Sequence, residues 1–384
     1  MTEQQSLAPL KTLLFAFHAT NTIIISYLPL YLADRGLTGA EIGVVLAVGP
    51  LAQIISQPFW GYMSDKYKTV KRFMLICIFG LIIFSSIFLS VTQFYLLIFF
   101  GFFFYFFSTP IGALGDSLAQ RRADDVGVSF GTIRTWGSVG FATSSLAIGL
   151  VLTIYGVQYM IWPYLAFALI ALFVTFKIKD VKVEQDPVSF KDAARLLKYK
   201  PFMFFLFFMM FLTISHRAND SYIGLYVEQL GGSNFIVGVA WFVGVISEAI
   251  IFATAGKWFR KYHTLIFVIL AGVIYTVRWF LYAAVDHYWM IVALQVLHGV
   301  TFGVLYLSAM DYVTRLIPRI LQSTGHLVFY AVFFGVSGII GSLLGGALID
   351  AYGGGMLYFV LGTIAFGGTI FMTLYHLLPY GKKA

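Results

Sequence analysis

Charge is what this chain has least of. Only 11% of its 384 residues are Asp, Glu, Lys or Arg, against 60% apolar. With a mean hydropathy of +0.87, that scarcity excludes an ordinary soluble domain and leaves an integral membrane protein. Cysteine is nearly absent as well. Cys77 is the only thiol and lies in an apolar run, so no intramolecular disulfide can form, and it reads as a small apolar side chain. The alternating polar and apolar pattern of a membrane β-barrel is missing, because the apolar runs are continuous. There is no Gly-Lys phosphate loop and no soluble domain, which argues against an enzyme or a sensor. No set of His, Cys, Asp and Glu has metal-ligand spacing, so neither a metal nor another cofactor is expected. The start, MTEQQSLAPLK, lacks a basic region followed by a short apolar core and a cleavage site. The first apolar run is therefore expected to stay in place as a helix.

A spanning helix needs about 20 mostly apolar residues. Twelve runs meet that length: 12–33, 42–63, 73–91, 95–118, 130–155, 157–176, 202–227, 235–255, 265–285, 289–313, 327–348 and 357–378. The fold class is thus all-α, a polytopic membrane protein with twelve transmembrane helices. Of the 25 basic residues, 21 fall on the even connections and the two ends, among them Lys66, Lys71, Arg72, Arg121, Arg122 and Lys382. By the positive-inside rule both termini and those connections are cytoplasmic. The same topology accounts for the net charge of +8 and removes the reason to expect a nucleic-acid partner.

The chain repeats itself. At an offset of 195, Tyr27, Leu30, Tyr31, Gly43, Gly61, Lys66 and Tyr67 match Tyr222, Leu225, Tyr226, Gly238, Gly256, Lys261 and Tyr262. Further on, Gly137 and Gly140 match Gly335 and Gly338, and Gly149, Tyr155 and Gly156 match Gly346, Tyr352 and Gly353. The expected organisation is two six-helix bundles, 1–176 and 202–384, joined by a charged cytoplasmic linker, 177–201. To that linker we assign no chemistry, although SFKDAARLLKYK could form a short surface helix. Parallel repeats with a site near the midplane between them describe a secondary transporter.

Ionisable residues inside spanning runs are costly and tend to face the protein interior and mark a solute path. Asp116 and Arg134 flank one cytoplasmic turn and are the first candidates for a solute site. The competing reading places them at the interface, Arg134 snorkelling to water and Asp116 capping a helix. His216, Arg217 and Asp220 share one helix, at spacings that bring Asp220 to either neighbour as a structural pair or a coupling element. Gln53, the repeat mate of Glu248, is then expected to face the same cavity as Glu248. His18 and Asn21 either line the cavity or hydrogen-bond between helices. Asp311 is expected to pair with Arg315, four residues on, at the cytoplasmic surface. Tyr27, Tyr31 and the many Phe residues read as lipid-facing and packing groups.

The turn GYMSDKYKTVKR, Gly61 to Arg72, resembles the loop signature of the major facilitator superfamily, Gly-x-x-x-Asp-Arg/Lys-x-Gly-Arg/Lys-Arg/Lys. Gly61, Asp65, Lys66 and Arg72 would form its gating loop. Lys68 stands where the signature prefers glycine, and the second copy has Arg260 at the acidic position. YLPLYLADRG with EIG, SQPFWGYMSDK and FGTIRTWGSVGF narrow the resemblance to the branch of lactose, phenylpropionate and nucleoside permeases. That resemblance implies a major facilitator fold, with Asp116 and Arg134 holding solute hydroxyls and Phe141 at the ring-stacking position. It also implies that Glu248 and His298 bind solute, and that Arg278 and His298 belong to a proton-coupling network. Thr301 replaces the glutamate that carries the proton in lactose permease, and Ile251 replaces an asparagine.

Burial raises a carboxylate's pKa and a nearby arginine lowers it, so the proton carrier must be a carboxylate whose partner can be removed. Glu248 has no charged neighbour on its own helix. It is the expected carrier, with Arg278 driving release, His298 coupling it to solute, and Asp220 next in line. The expected function is proton-coupled symport of a sugar, oligosaccharide or nucleoside by alternating access in the cell membrane. The expected partners are the solute, protons and membrane lipid. Uptake of an aromatic carboxylate and multidrug efflux by proton antiport are the alternatives.

Overall fold

The computed structural model describes residues 7–180, 195–259 and 263–378. Most of the linker, including Lys182 and Asp192, and the position of Arg260 lie outside the described residues. So does half of the expected surface helix at 189–200, of which 195 and 196 are helical and 200 begins the next long helix. The described residues are mostly helical, and among them there is no strand. The helices are α1 (Ala8–Asp34), α2 (Gly39–Lys66), α3 (Val70–Phe88), α4 (Phe94–Val126), α5 (Phe130–Tyr155), α6 (Ile161–Lys177), α7 (Lys200–Gln229), α8 (Asn234–Trp258), α9 (Thr264–Ala283), α10 (Tyr288–Leu316) and α11 (Thr324–Leu377). All eleven, with α6 counted from Val157, are long and apolar enough to cross a membrane. The last is 54 residues long and breaks at Gly353, where φ is 78°, so it supplies two crossings and the fold has twelve.

By contacts the chain divides into two compact units, Met1–Leu37 with Val44–Pro187, and Thr38–Gly43 with Val188–Ala384. In the first, α1 packs on α5 and α6, and α3 on α4 and α6. In the second, α11 packs on α7 and α9, and α9 on α10.

The internal repeat is written into the backbone and its hydrogen bonds. Gly36 and Gly231, 195 residues apart, both have φ of +84° in the turns after α1 and α7, a conformation that only glycine adopts without strain. Gly156 and Gly353 are likewise a left-handed pair, where α5 and the first span of α11 end. Tyr27 donates to the Ser145 carbonyl and its mate Tyr222 to the Ser342 carbonyl, each at 2.7 Å. Tyr31 donates to the Leu89 carbonyl and its mate Tyr226 to the Tyr282 carbonyl. The expectation that Tyr27 and Tyr31 face lipid is therefore corrected. Both are fully buried, and their hydroxyls reach carbonyls of other segments, because a buried phenol without a partner would cost more than the bond returns.

The loop after α2 shows why its signature prefers glycine. Lys68 has φ of +52° and is the only non-glycine residue with positive φ among the described residues. That conformation costs an L-residue about 1–2 kcal/mol, whereas glycine bears a smaller entropic cost. Lys68→Gly should raise the thermal midpoint of the purified protein, by a gain on the order of 0.5 kcal/mol. A lower midpoint would count against this account of the loop. Thr69 caps α3, accepting from the Arg72 backbone N–H. Asp180, just beyond α6, accepts from the Thr69 hydroxyl and from the Val70 and Lys71 backbone N–H groups at 3.2 and 3.0 Å. One acid of the linker thus has a structural task that its charge alone did not suggest, tying α6 to the start of α3.

Candidate functional site

Among the described residues of the first unit, Asp116 and Arg134 pair between two spanning helices. Arg134, in the first turns of α5, places Nε 3.1 Å from Asp116 Oδ1 on α4, with side chains 32% and 42% exposed. A pair this open has given up only part of its hydration, so a solute hydroxyl can take over one of its contacts. Behind it stands His18 of α1. A Cβ built on Gly137 would lie 2.4 Å from the His18 ring and 2.7 Å from the Arg134 guanidinium, so Gly137 is what lets the two approach. His18 Nε2 is buried and makes no hydrogen bond, so the interhelical bond considered from the sequence is not there. Phe141 follows Arg134 on α5 by two helical turns and is half-buried. At the end of α2, the Lys66 ammonium lies over the rings of Tyr62 and Tyr67 at 5.8 and 5.7 Å. Asp65 has Arg121, at the end of α4, as its charged neighbour, while Gly61 faces open space and Arg72 is exposed.

In the second unit the charges are denser and deeper. Asp220 Oδ2 meets Arg217 Nη1 at 2.9 Å and His216 Nε2 at 3.4 Å on the same helix, so both partners offered by the spacing are used at once. Glu248 on α8 places Oε2 3.7 Å from His298 Nε2 on α10. Glu248 is 22% exposed and Asp220 11%.

Arg278 departs from expectation. It is fully buried, yet no ion pair joins it to Glu248 among the described residues. Its guanidinium donates to Thr301 Oγ1 at 2.9 Å, to the Tyr282 hydroxyl at 3.2 Å and to Gln295 Oε1. It also lies 5.2 Å from the Tyr282 ring centre, within cation–π range. A buried charge must be hydrogen-bonded even when no opposite charge is adjacent, and three neutral oxygens do this here. Thr301, which replaces the family's glutamate, is one of the three. It sits in a π-helical stretch, Gly299–Gly303, which follows a short 3-10 turn, Gln295–Leu297. Such wide turns recur at functional positions because they re-aim side chains without ending the helix. The stretch is pinned by the Gly299 N–H donating to Ser247 Oγ at 2.8 Å.

Two networks of intramembrane charges, one in each of two repeated helical units, form the arrangement on which the comparisons bear. The model of the MFS_1 like family matches residues 7–360. The chain belongs to this family of major facilitator superfamily transporters. The transporter is 28% identical over 364 residues to the uncharacterized transporter YwbF of Bacillus subtilis (strain 168), covering 94% of this chain and 91% of that one. It is 27% identical over 366 residues to the maltose permease of Geobacillus stearothermophilus, with the same coverage. The crystal structure of the nucleoside transporter NupG superposes with a TM-score of 0.87 at 18% identity, covering 98% of this chain and all of that one, which shows the shared fold. The protein is thus a multi-pass secondary transporter of small solutes and not an enzyme.

Sequence reasoning missed Gln295 and Tyr282 in this transporter. Tyr282 is four residues after Arg278, a spacing that puts the two on one helix face and was there to be read. Gln295 precedes His298 by three and Thr301 by six, again one face of α10. Asp311 does pair with Arg315, at 2.8 Å, and also accepts from the Thr264 hydroxyl at 2.7 Å.

Proposed function

We propose that this transporter is a proton-coupled symporter of a small polar solute, a sugar or oligosaccharide before a nucleoside, working by alternating access in the cell membrane with both termini cytoplasmic. The observation that carries this reading is the half-exposed Asp116–Arg134 pair, an acceptor and a planar donor side by side on two spanning helices. Paired carboxylate and guanidinium groups suit vicinal hydroxyls, which both donate and accept. The maltose permease relationship supports a sugar. Phe141, two turns further along α5, offers a ring face for the solute. Glu248, whose ion-pair partner among the described residues is His298, is the proposed proton carrier, and Asp65, Lys66, Gly61 and Arg72 form the proposed gating loop. The two six-helix bundles, 1–176 and 202–384, are the proposed moving parts, with 177–201 as their linker.

The test is proton movement on addition of solute. Energy-depleted cells expressing the protein, lightly buffered, should alkalinise the medium when maltose or another member of a sugar and nucleoside panel is added. Labelled solute should enter in parallel. Acidification on solute addition would replace symport by antiport, and uptake without any pH change would remove the proton.

A further inference from the structure

His216 is a buried titratable group that this reading leaves without a role. In the second unit two imidazole–carboxylate pairs are built alike. His216 Nε2 faces Asp220 at 3.4 Å and His298 Nε2 faces Glu248 at 3.7 Å. In both rings Nδ1 is buried and makes no hydrogen bond. The ring centres are 5.7 Å apart, and one side chain, Phe302, stacks on both, at 4.8 Å and 14° on His216 and at 5.6 Å and 29° on His298. Around them stand Arg217 and Asp220 of α7, Tyr275 and Arg278 of α9, Phe333 of α11, and Trp241 and Glu248 of α8.

Two imidazolium ions so close, with Arg217 and Arg278 as neighbouring cations, repel strongly in a bundle that excludes water. One ring can hold a proton only while the other is neutral, and groups that interact this way titrate together rather than singly. We propose that His216 is a coupling residue, and that Asp220, His216, His298 and Glu248 form one proton-binding unit extending from α8 through α10 to α7. This deepens the symport reading and rests on it for its role in transport. A proton taken up at Glu248, the more exposed carboxylate, and shared with His298 leaves His216 neutral and leaves Asp220 to Arg217 alone. When the proton resides on His216, Asp220 is shared between two cations. The state of the carrier is thereby registered on a second helix, α7. A merely packed His216, held flat under Phe302, would take no notice of Glu248.

The unit can be tested on the protons themselves. Purified protein labelled with 15N-histidine gives imidazole signals that His216→Gln and His298→Gln assign. In the wild type both rings should inflect at the same pH values, as members of a shared titration. Glu248→Gln should move the His216 midpoint to lower pH by about half a unit or more, and Asp220→Asn should do the same to His298, because each removes a negative charge from the unit. Separate single midpoints, each indifferent to the distant carboxylate, would overturn the proposal. Rings that stay neutral from about pH 4 to pH 10 would overturn it too. The wild-type curves decide the matter alone if a variant fails to fold. A shared titration in a protein that shows no solute-driven proton uptake would leave the unit standing and remove the symport reading.

Discussion

Glu248→Gln should keep solute exchange across the membrane and lose accumulation driven by a pH gradient. The argument is one of partners. Asp116 is ion-paired with Arg134, and Asp220 with Arg217, so each carboxylate has an arginine beside it. Among the described residues the ion-pair partner of Glu248 is the His298 imidazole, at 3.7 Å, and its side chain is partly open. A carrier must meet its proton from water and then give it up, and this is the carboxylate placed to do both. Glutamine has the same length and hydrogen-bonding reach without the titration, so solute binding and conformational exchange survive. A gradient of one pH unit is worth about 1.4 kcal/mol per proton, enough for about tenfold accumulation in the wild type. In Glu248→Gln that ratio should fall to about one while counterflow stays within about twofold of wild type. Gradient-driven accumulation at the wild-type ratio would exclude Glu248 as the carrier, and Asp220→Asn would then be the variant to measure.

Arg134→Ala should lose solute binding without losing the fold. A charge-assisted hydrogen bond contributes roughly 1.5–3 kcal/mol, which places the loss of affinity at about 100-fold, read by equilibrium binding to purified protein. Expression should change little, because the side chain is one-third exposed and its removal leaves an Asp116 that is also partly solvated. Arg134→Lys is the sharper variant. An ammonium keeps the charge but not the planar fork, and it cannot hold Asp116 and a solute hydroxyl in one plane. Affinity should therefore stay low in the lysine variant. Recovery with lysine would mean that Arg134 only supplies charge near the interface, the reading that its place in the sequence left open.

How far these groups could be read without coordinates depended on what kind of partner they have. Asp220 and its two neighbours are on one helix, and a spacing of three or four residues predicts their contact. Lys68 was marked by the family's glycine, and its positive φ is the reason for that mark. The tyrosines were misread because their acceptors are backbone carbonyls of distant segments, which have no signature in the chain. Arg278 was assigned to Glu248 because charge is the visible attribute of a residue. In its actual shell of an amide, a phenol and a threonine hydroxyl, the hydroxyl lies in the wide turn at Gly299–Gly303 and the amide in the 3-10 turn before it, neither of which any periodicity announces. His18 was legible as a polar residue in an apolar run, but its approach to Arg134 depends on Gly137 of a different helix.

The neutral shell of Arg278 also bears on which step of the transport cycle senses membrane voltage. Hydroxyl and amide oxygens do not titrate over the physiological range, so this guanidinium remains a fixed positive charge whatever the carrier does. Counted with Arg134 and Arg217 it is offset by Asp116, Asp220 and Glu248, so the empty, deprotonated protein has no net intramembrane charge among these groups. On the symport proposal, one bound proton and a neutral sugar would give the loaded form one positive charge. An inside-negative potential would then pull the loaded form inward, by up to about 2.3 kcal/mol per 100 mV, and leave the empty return unaffected. Transport current should accordingly rise with hyperpolarisation only while the loaded reorientation limits the rate, and become voltage-independent once solute is abundant enough for the empty return to limit it.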